Sequence, residues 1–220
     1  TMKLTNIITG ILLLAAPCAA GQQTTPQDAK PVHTTTIYKK GDNGFDTYRI
    51  PATVRTTKGT VLAFAEARKH SRSDTGDIDL VLRRSTDGGR TWGDIITVWD
   101  DAGNVCGNPA PVVDRETGRI LLLSTWNDGT DHEKDIHART AKDTRRVFVL
   151  YSDDDGLTWS SPREITPSVK REDWTWYATG PCHAIQLQKG RHKGRIVVSC
   201  NHGLFKDGKG AGSYSHLIYS

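Results

Sequence analysis

The sequence has little of several features that would narrow its function at once. Its 220 residues include four cysteines, one methionine and 7% aromatic residues, and 29 basic against 25 acidic residues leave a formal charge of only +4. A charge balance this mild, without a basic cluster interleaved with aromatics, gives no indication of nucleic-acid binding. Beyond the N-terminal segment no stretch of useful length has a helical period, which argues against a helical fold.

Long hydrophobic runs are also scarce. The one apolar run, residues 7–16, follows Lys3 and precedes the small residues Ala19 and Ala20. This arrangement is typical of a secretory signal, and the run is too short to span a bilayer. We therefore predict a signal peptide over residues 1–20, cleaved after Ala20, and no transmembrane segment in the mature chain. The mature protein is expected to be secreted, periplasmic or attached to the cell surface.

The segment that follows has the composition of a tether. Residues 21–36 are rich in Gln, Thr and Pro and are predicted to form a linker ahead of a domain over residues 37–220. Lipidation of Cys18 is the alternative to cleavage after the alanines. The preceding Pro17 fits poorly with the small residue that such processing favours.

Three cysteines remain after the predicted leader, which leaves at least one unpaired in a monomer. Cys182 and Cys200 flank a predicted strand, turn and strand centred near Arg191. A disulfide between them in an oxidising compartment and two isolated buried thiols are both compatible with this spacing.

One motif occurs twice at a long interval. "RRSTDGGRTW" at 83–92 and "LYSDDDGLTW" at 150–159 share Ser-x-Asp-x-Gly-x-Thr-Trp, and their serines lie 67 residues apart. Tyr219-Ser220 matches the start of a third copy, 68 residues after the second serine. Such a period indicates a repeat architecture. The residues of the two boxes are Ser85, Asp87, Gly89, Thr91 and Trp92, then Ser152, Asp154, Gly156, Thr158 and Trp159.

The box has a structural interpretation. Its aspartate is suited to accept backbone N–H groups of the turn, its glycine supplies a positive φ, and its tryptophan is expected to fold under as an apolar anchor. Short β-rich runs, from "RIPATVRTT" to "SHLIYS", alternate with Gly, Asp and Asn turns. Together these features predict an all-β fold of antiparallel four-stranded sheets with loops gathered at their two ends.

Charged residues stand at two predicted strand ends. Arg49 precedes Ile50-Pro51, and the proline is expected to hold Ile50 in extended geometry. "FAEARKHSRSD" then brings Glu66, Arg68 and Asp74 after an apolar strand. Two arginines and two acids suit an anionic sugar, because a guanidinium binds a carboxylate bidentately and an acid either orients it or transfers a proton.

These motifs together resemble a known enzyme family. "YRIP", then "AFAEAR" with an aspartate six residues after the arginine, then Asp boxes, are similar to the exo-α-sialidase (neuraminidase) family with Asp-box or BNR repeats, of the secreted bacterial type. The resemblance covers residues 45–220. It implies a six-bladed β-propeller of the sialidase type, of which this chain covers roughly the first three blades.

The resemblance also implies an activity and the roles of individual residues. A sialidase releases terminal α-linked sialic acid from glycoproteins, glycolipids and oligosaccharides with retention of configuration, and it needs no cofactor. Arg49 would bind the sugar carboxylate, Arg68 would lie near O4 with Glu66 packed beside it, and Asp74 would be the general acid/base. Asp77 is the alternative acid. Asn108, in "GNPAP", would contact the substrate at a position where some relatives carry an aspartate.

Other family features fall outside the sequence. The nucleophilic tyrosine, its glutamate and two further arginines would follow Ser220, and neither Tyr214 nor Tyr219 fits the nucleophile. We therefore expect these 220 residues alone to be inactive. Two alternatives stay open: a non-catalytic Asp-box propeller that binds carbohydrate or protein, and transfer of sialic acid to another sugar instead of to water.

Several further residues were weighed. Trp126, Trp174, Trp176 and Tyr177 either border the pocket or belong to the blade core. His132 and His137 are five residues apart, one more than a zinc helix requires, so the segment around them is predicted to be a solvated loop and no metal site is expected. The glycine-rich residues 207–213 lack a phosphate-loop ending and are predicted to form a flexible loop.

Overall fold

Twelve strands account for most of residues 33–220, which are the residues that the computed structural model describes. The predicted leader, most of the predicted linker and Cys18 lie outside the described residues. A first unit contains β1 (Thr47–Arg55), β2 (Val61–Arg68), β3 (Ile78–Ser85) and β4 (Ile96–Trp99). A second contains β5 (Val105–Val113), β6 (Ile120–Asn127), β7 (Arg146–Ser152) and β8 (Arg163–Glu164). A third contains β9 (Trp174–Thr179), β10 (Ile185–Gln186), β11 (Ile196–Lys206) and β12 (Lys209–Tyr219).

Each unit is an antiparallel sheet. The first two are four-stranded meanders in which consecutive strands pair. In the third, β9 and β10 lie one after the other along the same side of β11, and β12 pairs with its other side. One parallel bridge, Ile78 to Val105, connects the first two units. Antiparallel pairing follows from the short Gly- and Asp-rich turns, which are long enough for hairpins and too short for crossovers.

The apolar core lies between the faces of neighbouring units. Alternate residues of β2 and β3 point the same way and pack against β5, β6 and β7 of the second unit, around Phe64, Leu82 and Leu122. A second cluster joins the second unit to the third, around Val112, Leu123, Tyr177 and Val198. Face-to-face packing of successive sheets gives each unit two buried faces, which explains why β2, β3 and β5 are apolar almost throughout.

The two Asp boxes form the turns between β3 and β4 and between β7 and β8. In each box the serine hydroxyl donates to the aspartate at 2.8 Å and accepts the glycine N–H, at 2.8 Å from Gly89 and 2.9 Å from Gly156. The aspartate accepts the N–H groups three and four residues further on. Both glycines have positive φ, 90° and 83°. Ser220 directly follows β12, the position of the box serines at the ends of β3 and β7.

The second box also joins the first unit to the second. Asp155, at its tip, accepts the Thr60 hydroxyl at 2.5 Å and the Arg84 guanidinium at 2.9 Å. Trp159 packs edge-on against Phe64, with ring centroids 5.6 Å apart. The box is therefore a contact between repeats as well as a turn.

Replacing Gly156 by alanine is expected to destabilise the protein more than replacing Gly89. Both positions have positive φ, which costs an L-residue about 1–2 kcal/mol. A Cβ at Gly156 would also lie 2.9 Å from Cδ1 of the fully buried Leu62, whereas at Gly89 the nearest atom is Trp92 Cζ2 at 3.7 Å. Overpacking adds about 1–3 kcal/mol for Gly156→Ala alone. Urea unfolding of the two variants measures the difference, and equal losses would contradict docking through Leu62.

Two sequence predictions about loops are wrong. Glu133–Ala138 forms a short helix, α1, instead of a solvated loop, because Ile136 turns inward and is 2% exposed. Residues 209–213 belong to β12 instead of a flexible loop, because they pair with the end of β11 beyond a tight turn at Asp207-Gly208. A second short helix, α2, covers Thr166–Val169.

The cysteines of the described region are free thiols. Cys106 and Cys200 are buried and Cys182 is exposed, so of the two alternatives for Cys182 and Cys200 the structure has unpaired thiols, only one of them buried. Over residues 33–220, no helix has the length and apolar character needed to cross a membrane.

A histidine pair in the third unit predicts acid sensitivity. His202 and His216 approach through their Nδ1 atoms at 3.0 Å, and the Nε2 of His216 lies 2.9 Å from the Tyr177 hydroxyl. Burial, together with the neighbouring His202, lowers the pKa of His216 to about 4. The unfolded chain therefore binds more protons than the folded one between about pH 4 and 6.5, and stability falls as pH falls through this window.

Because the ring is partly exposed, we expect the loss to be on the order of 1 kcal/mol, or about 2–4 °C in Tm. Thermal unfolding between pH 7.5 and 4.5 measures it. The variant His216→Gln should show a flatter dependence, and an unchanged slope would assign the acid sensitivity to other groups.

Candidate active site

Two arginines from neighbouring strands converge on one carboxylate. Arg49 on β1 donates from Nη1 to Asp74 Oδ1 at 2.9 Å, and Arg68 at the end of β2 contacts the same oxygen from Nη2 at 2.7 Å. The side chain of Arg68 is 2% exposed, whereas those of Arg49 and Asp74 are 39% and 58% exposed. The three predicted residues therefore form one cluster with a buried base and an open rim.

The loop that carries Asp74 is held by the same guanidinium. Arg68 Nη1 donates to the carbonyl oxygens of Arg72 and Ser73 at 2.7 and 2.6 Å. These contacts place the aspartate above the arginines. The alternative acid, Asp77, lies elsewhere in the loop and pairs with Lys69 at 3.0 Å.

The prediction that Ile50 is extended is wrong. Its φ is 54°, in the left-handed region, and the register of β1 against β2 shifts between Arg49 and Ala52. A bulge bends the strand locally and redirects the side chains beside it, which positions Arg49. Asn108 before Pro109 and Gly180 before Pro181 also have positive φ, 52° and 70°. Thus the inner edge of each unit is interrupted at an X-Pro step, and for a β-branched residue this conformation is strained.

Glu66 lies underneath the cluster and is 3% exposed. Its Oε2 accepts Arg68 Nη2 at 2.5 Å, and its Oε1 accepts the backbone N–H of Asn108 at 2.9 Å. Both oxygens are thus used inside the protein. A Cβ at Gly107 would lie 2.6 Å from Oε1, so this glycine allows β5 to approach the carboxylate. The position suits a residue that holds Arg68 in place.

Sequence reasoning missed Arg145, which precedes β7 and is 3% exposed. Its Nη2 donates to Asn108 Oδ1 at 2.6 Å, its Nη1 donates to Asn127 Oδ1, and its guanidinium lies 4.0 Å from the ring centre of Trp176. Burial lowers its pKa to about 10, so it remains charged at neutral pH. "DTRRVFV" gave no signal, because two arginines before a strand usually lie at the surface.

The four aromatic residues have different environments. Tyr177 is fully buried, Trp174 stacks on His202 in the core of the third unit, and Trp126 donates its Nε1 to Asp101 at 2.6 Å. Trp176 is connected to the site through Arg145. Three therefore belong to the body of the fold and one supports the site.

Helix α1 adds a wall that was not predicted. A cavity of about 470 Å³ lies beside Asp74 and is lined by Ser73, Asp74, Thr75, His132, Glu133, Lys134 and His137. His137 contacts Glu133 and Thr175 at 3.4 and 3.2 Å. Within residues 33–220 no group of three or more His, Cys, Asp or Glu side chains is arranged to hold a metal ion.

The fold and this site define a propeller-type protein built from four-stranded repeats, with an arginine-rich cluster at one end. A family model for the BNR repeat-like domain matches residues 59–217, and the chain belongs to this family. It is 38% identical over 164 residues to an exo-alpha-sialidase of Aspergillus fumigatus, and 34% identical over 165 residues to sialidase-3 of Homo sapiens. These matches cover 67% and 70% of this chain but 40% and 38% of the relatives. The chain therefore spans about two fifths of their length.

Solved structures support the fold. The Hadza microbial sialidase Hz136 superposes with a TM-score of 0.70 at 29% identity, over 82% of this chain and 36% of that one. Trypanosoma rangeli sialidase superposes with a TM-score of 0.59 at 16% identity, over 79% of this chain and 29% of that one, which supports the fold alone. The predicted propeller-type, β-rich fold and the homology to sialidases are thus confirmed. The sheets of this chain do not close into a ring, and the number six stays a prediction.

Proposed function

We propose that the protein that carries this chain is a retaining exo-α-sialidase acting on sialylated glycans. The observation that carries the proposal is the convergence of Arg49 and Arg68 on one carboxylate, in a site that is open on one side. Sialic acid has a carboxylate on its anomeric carbon, so an arginine cluster of this kind matches its charge and geometry. The relatives named sialidase support the same substrate class.

Asp74 now occupies the position on Arg49 that a sugar carboxylate would take. An incoming carboxylate that pairs with Arg49 would displace Asp74 and free it to protonate the glycosidic oxygen. In the second step Asp74 would remove a proton from the attacking water. Arg49 would orient the sugar and Arg68, fixed by Glu66, would hold the opposite rim.

Replacing Arg49 by alanine is expected to weaken binding of sialic acid by about 10- to 150-fold, because a hydrogen bond between charged groups contributes about 1.5–3 kcal/mol. Isothermal titration measures the dissociation constant. The methyl ester of sialic acid is the matched ligand, and its affinity should be nearly the same for both proteins. An equal loss with the ester would show that Arg49 does not bind the carboxylate.

The activity itself is tested with the whole protein and a fluorogenic α-sialoside, with NMR to identify the first anomer released. Turnover with release of the α-anomer supports the proposal. Tight binding of sialic acid without turnover would favour a non-catalytic binding module. Release of sialic acid onto an added sugar instead of water would favour a transferase.

We further propose that the protein is exported. The proposal rests on the apolar segment and small residues of the first 20 positions. N-terminal sequencing of protein recovered outside the cytoplasm tests it, and a mature protein beginning at Gly21 is expected.

A further inference from the structure

We propose that Arg145 is a positioning residue that fixes the side-chain amide of Asn108 with its Nδ2 directed to an acceptor oxygen of the bound sugar. This inference rests on the proposed function for the identity of the ligand. The orientation of the amide is tested independently of it.

The orientation follows from the chemistry of the guanidinium. Arginine has only hydrogen-bond donors, so the atom of Asn108 that lies 2.6 Å from Arg145 Nη2 must be the amide oxygen. The hydroxyl of Thr125 lies 2.9 Å from the same oxygen. Two contacts to Oδ1 therefore exclude the flipped amide, in which an NH2 group would face a cation.

This arrangement leaves the Nδ2 of Asn108 available. Within residues 33–220 it has no hydrogen-bond partner, and it is not among the buried unsatisfied side-chain atoms, so it reaches solvent. The backbone of Asn108 is held as well: its N–H donates to Glu66 and its carbonyl accepts the Thr179 hydroxyl at 2.7 Å. The same residue is thus tied at its backbone to the carboxylate that supports Arg68.

Arg145 is itself rigidly supported. It stacks on Trp176 at 4.0 Å and donates to the fully buried Asn127. Its carbonyl oxygen accepts a hydrogen bond from Lys170 Nζ at 2.7 Å, and the same ammonium donates to the carbonyl of Thr175 at 2.5 Å, next to Trp176. Lys170 therefore connects the backbone on both sides of the stacked pair. Supporting contacts of this kind hold a binding group in its productive orientation.

The consequence is a selectivity rule. A fixed donor favours a carbonyl or hydroxyl oxygen at this point of the sugar and disfavours an ammonium group. A site built to pair one buried polar group discriminates strongly against a ligand that lacks the partner. Arg145 would thus affect specificity without contacting the ligand.

The first test follows the orientation without ligand. In the whole protein, the 15N-labelled side-chain amide of Asn108 should give one well-dispersed NH2 pair. Arg145→Met should shift this pair and accelerate its exchange with solvent, while Arg145→Lys, which keeps one donor, should have a smaller effect. An unchanged resonance in Arg145→Met would overturn the proposal.

The second test measures selectivity. Dissociation constants for sialic acid are compared with those for its 4-deoxy and N-deacetylated analogues. The wild-type protein should disfavour one analogue by about tenfold or more, as expected for a lost hydrogen bond of about 1.5 kcal/mol. Arg145→Met should reduce this ratio several-fold. An equal loss of affinity for all ligands would indicate a merely structural role and overturn the proposal.

Two further variants cover the case in which Arg145→Met does not fold. Thr125→Val removes one of the two contacts to Oδ1, and Asn108→Asp keeps the contact to Arg145 but replaces the donor by an acceptor. Both should reduce the ratio, Asn108→Asp more than Thr125→Val, and an unchanged ratio in Asn108→Asp would overturn the proposal. If the wild-type protein binds no sialic acid, the proposed function fails, and the amide resonance still decides the orientation.

Discussion

Turnover of an α-sialoside by the whole protein is expected to fall by about 10²- to 10⁴-fold when Asp74 is replaced by alanine, the usual contribution of a positioned general acid. Asp74 contacts both arginines of the cluster, and its side chain is 58% exposed. Because it is exposed, the free energy of unfolding should change by less than about 1 kcal/mol. Initial rates and urea unfolding of the same preparation measure the two effects.

The matched control is Asp77→Ala. Asp77 is three residues away in the same loop but pairs with Lys69, so turnover should stay close to that of the wild type. A further distinction comes from the leaving group: Asp74→Ala should slow a natural glycoside more than an activated aryl sialoside, which needs less protonation. A large loss in Asp77→Ala with none in Asp74→Ala would transfer the acid role to Asp77.

Replacing Glu66 by alanine is expected to destabilise the fold by about 3–5 kcal/mol, because it leaves the guanidinium of Arg68 buried without its carboxylate. The side chains of the pair are 3% and 2% exposed, and the change also removes the acceptor of the Asn108 N–H. For a domain of this size the loss corresponds to a decrease in Tm of about 10 °C or more. Thermal and urea unfolding measure it.

An exposed glutamate provides the control. Glu164 pairs with Arg146 at 3.6 Å at the surface, and Glu164→Ala should change stability by less than about 1 kcal/mol. The double variant Glu66→Gln with Arg68→Met removes both charges and should recover part of the loss, since an apolar replacement of a buried pair is often tolerated. A loss from Glu66→Ala no greater than from Glu164→Ala would contradict a supporting role for Glu66.

Much of the scaffold could be predicted because its signals are local. The Asp box is a turn of eight residues whose hydrogen bonds all close within the motif, so two copies at a regular interval revealed the repeat. β-rich runs between Gly- and Asp-rich turns predicted antiparallel units. Arg49, Arg68 and Asp74 stand at the ends of such runs, and hairpin pairing brings the ends of β1 and β2 together.

Other features depend on contacts between distant residues. Residues 133–138 lack a clear helical period, and they become helical where Ile136 finds an apolar site. Ile50 precedes a proline and was expected to be extended, but a bulge at the start of β1 gives it a positive φ. In both cases tertiary packing outweighs the local preference.

The sequence by itself determined the repeat, the β-rich class, the turns and the group of charged residues with affinity for an anionic sugar. Those properties reside in short segments with their own hydrogen-bonding chemistry. Only the tertiary structure decided that Glu66 is a buried support, that Arg145 belongs to the site and that Asn108 has one amide orientation. Each depends on strands of the first and second units meeting at one end of the fold, and on the low tolerance of buried charges for missing partners.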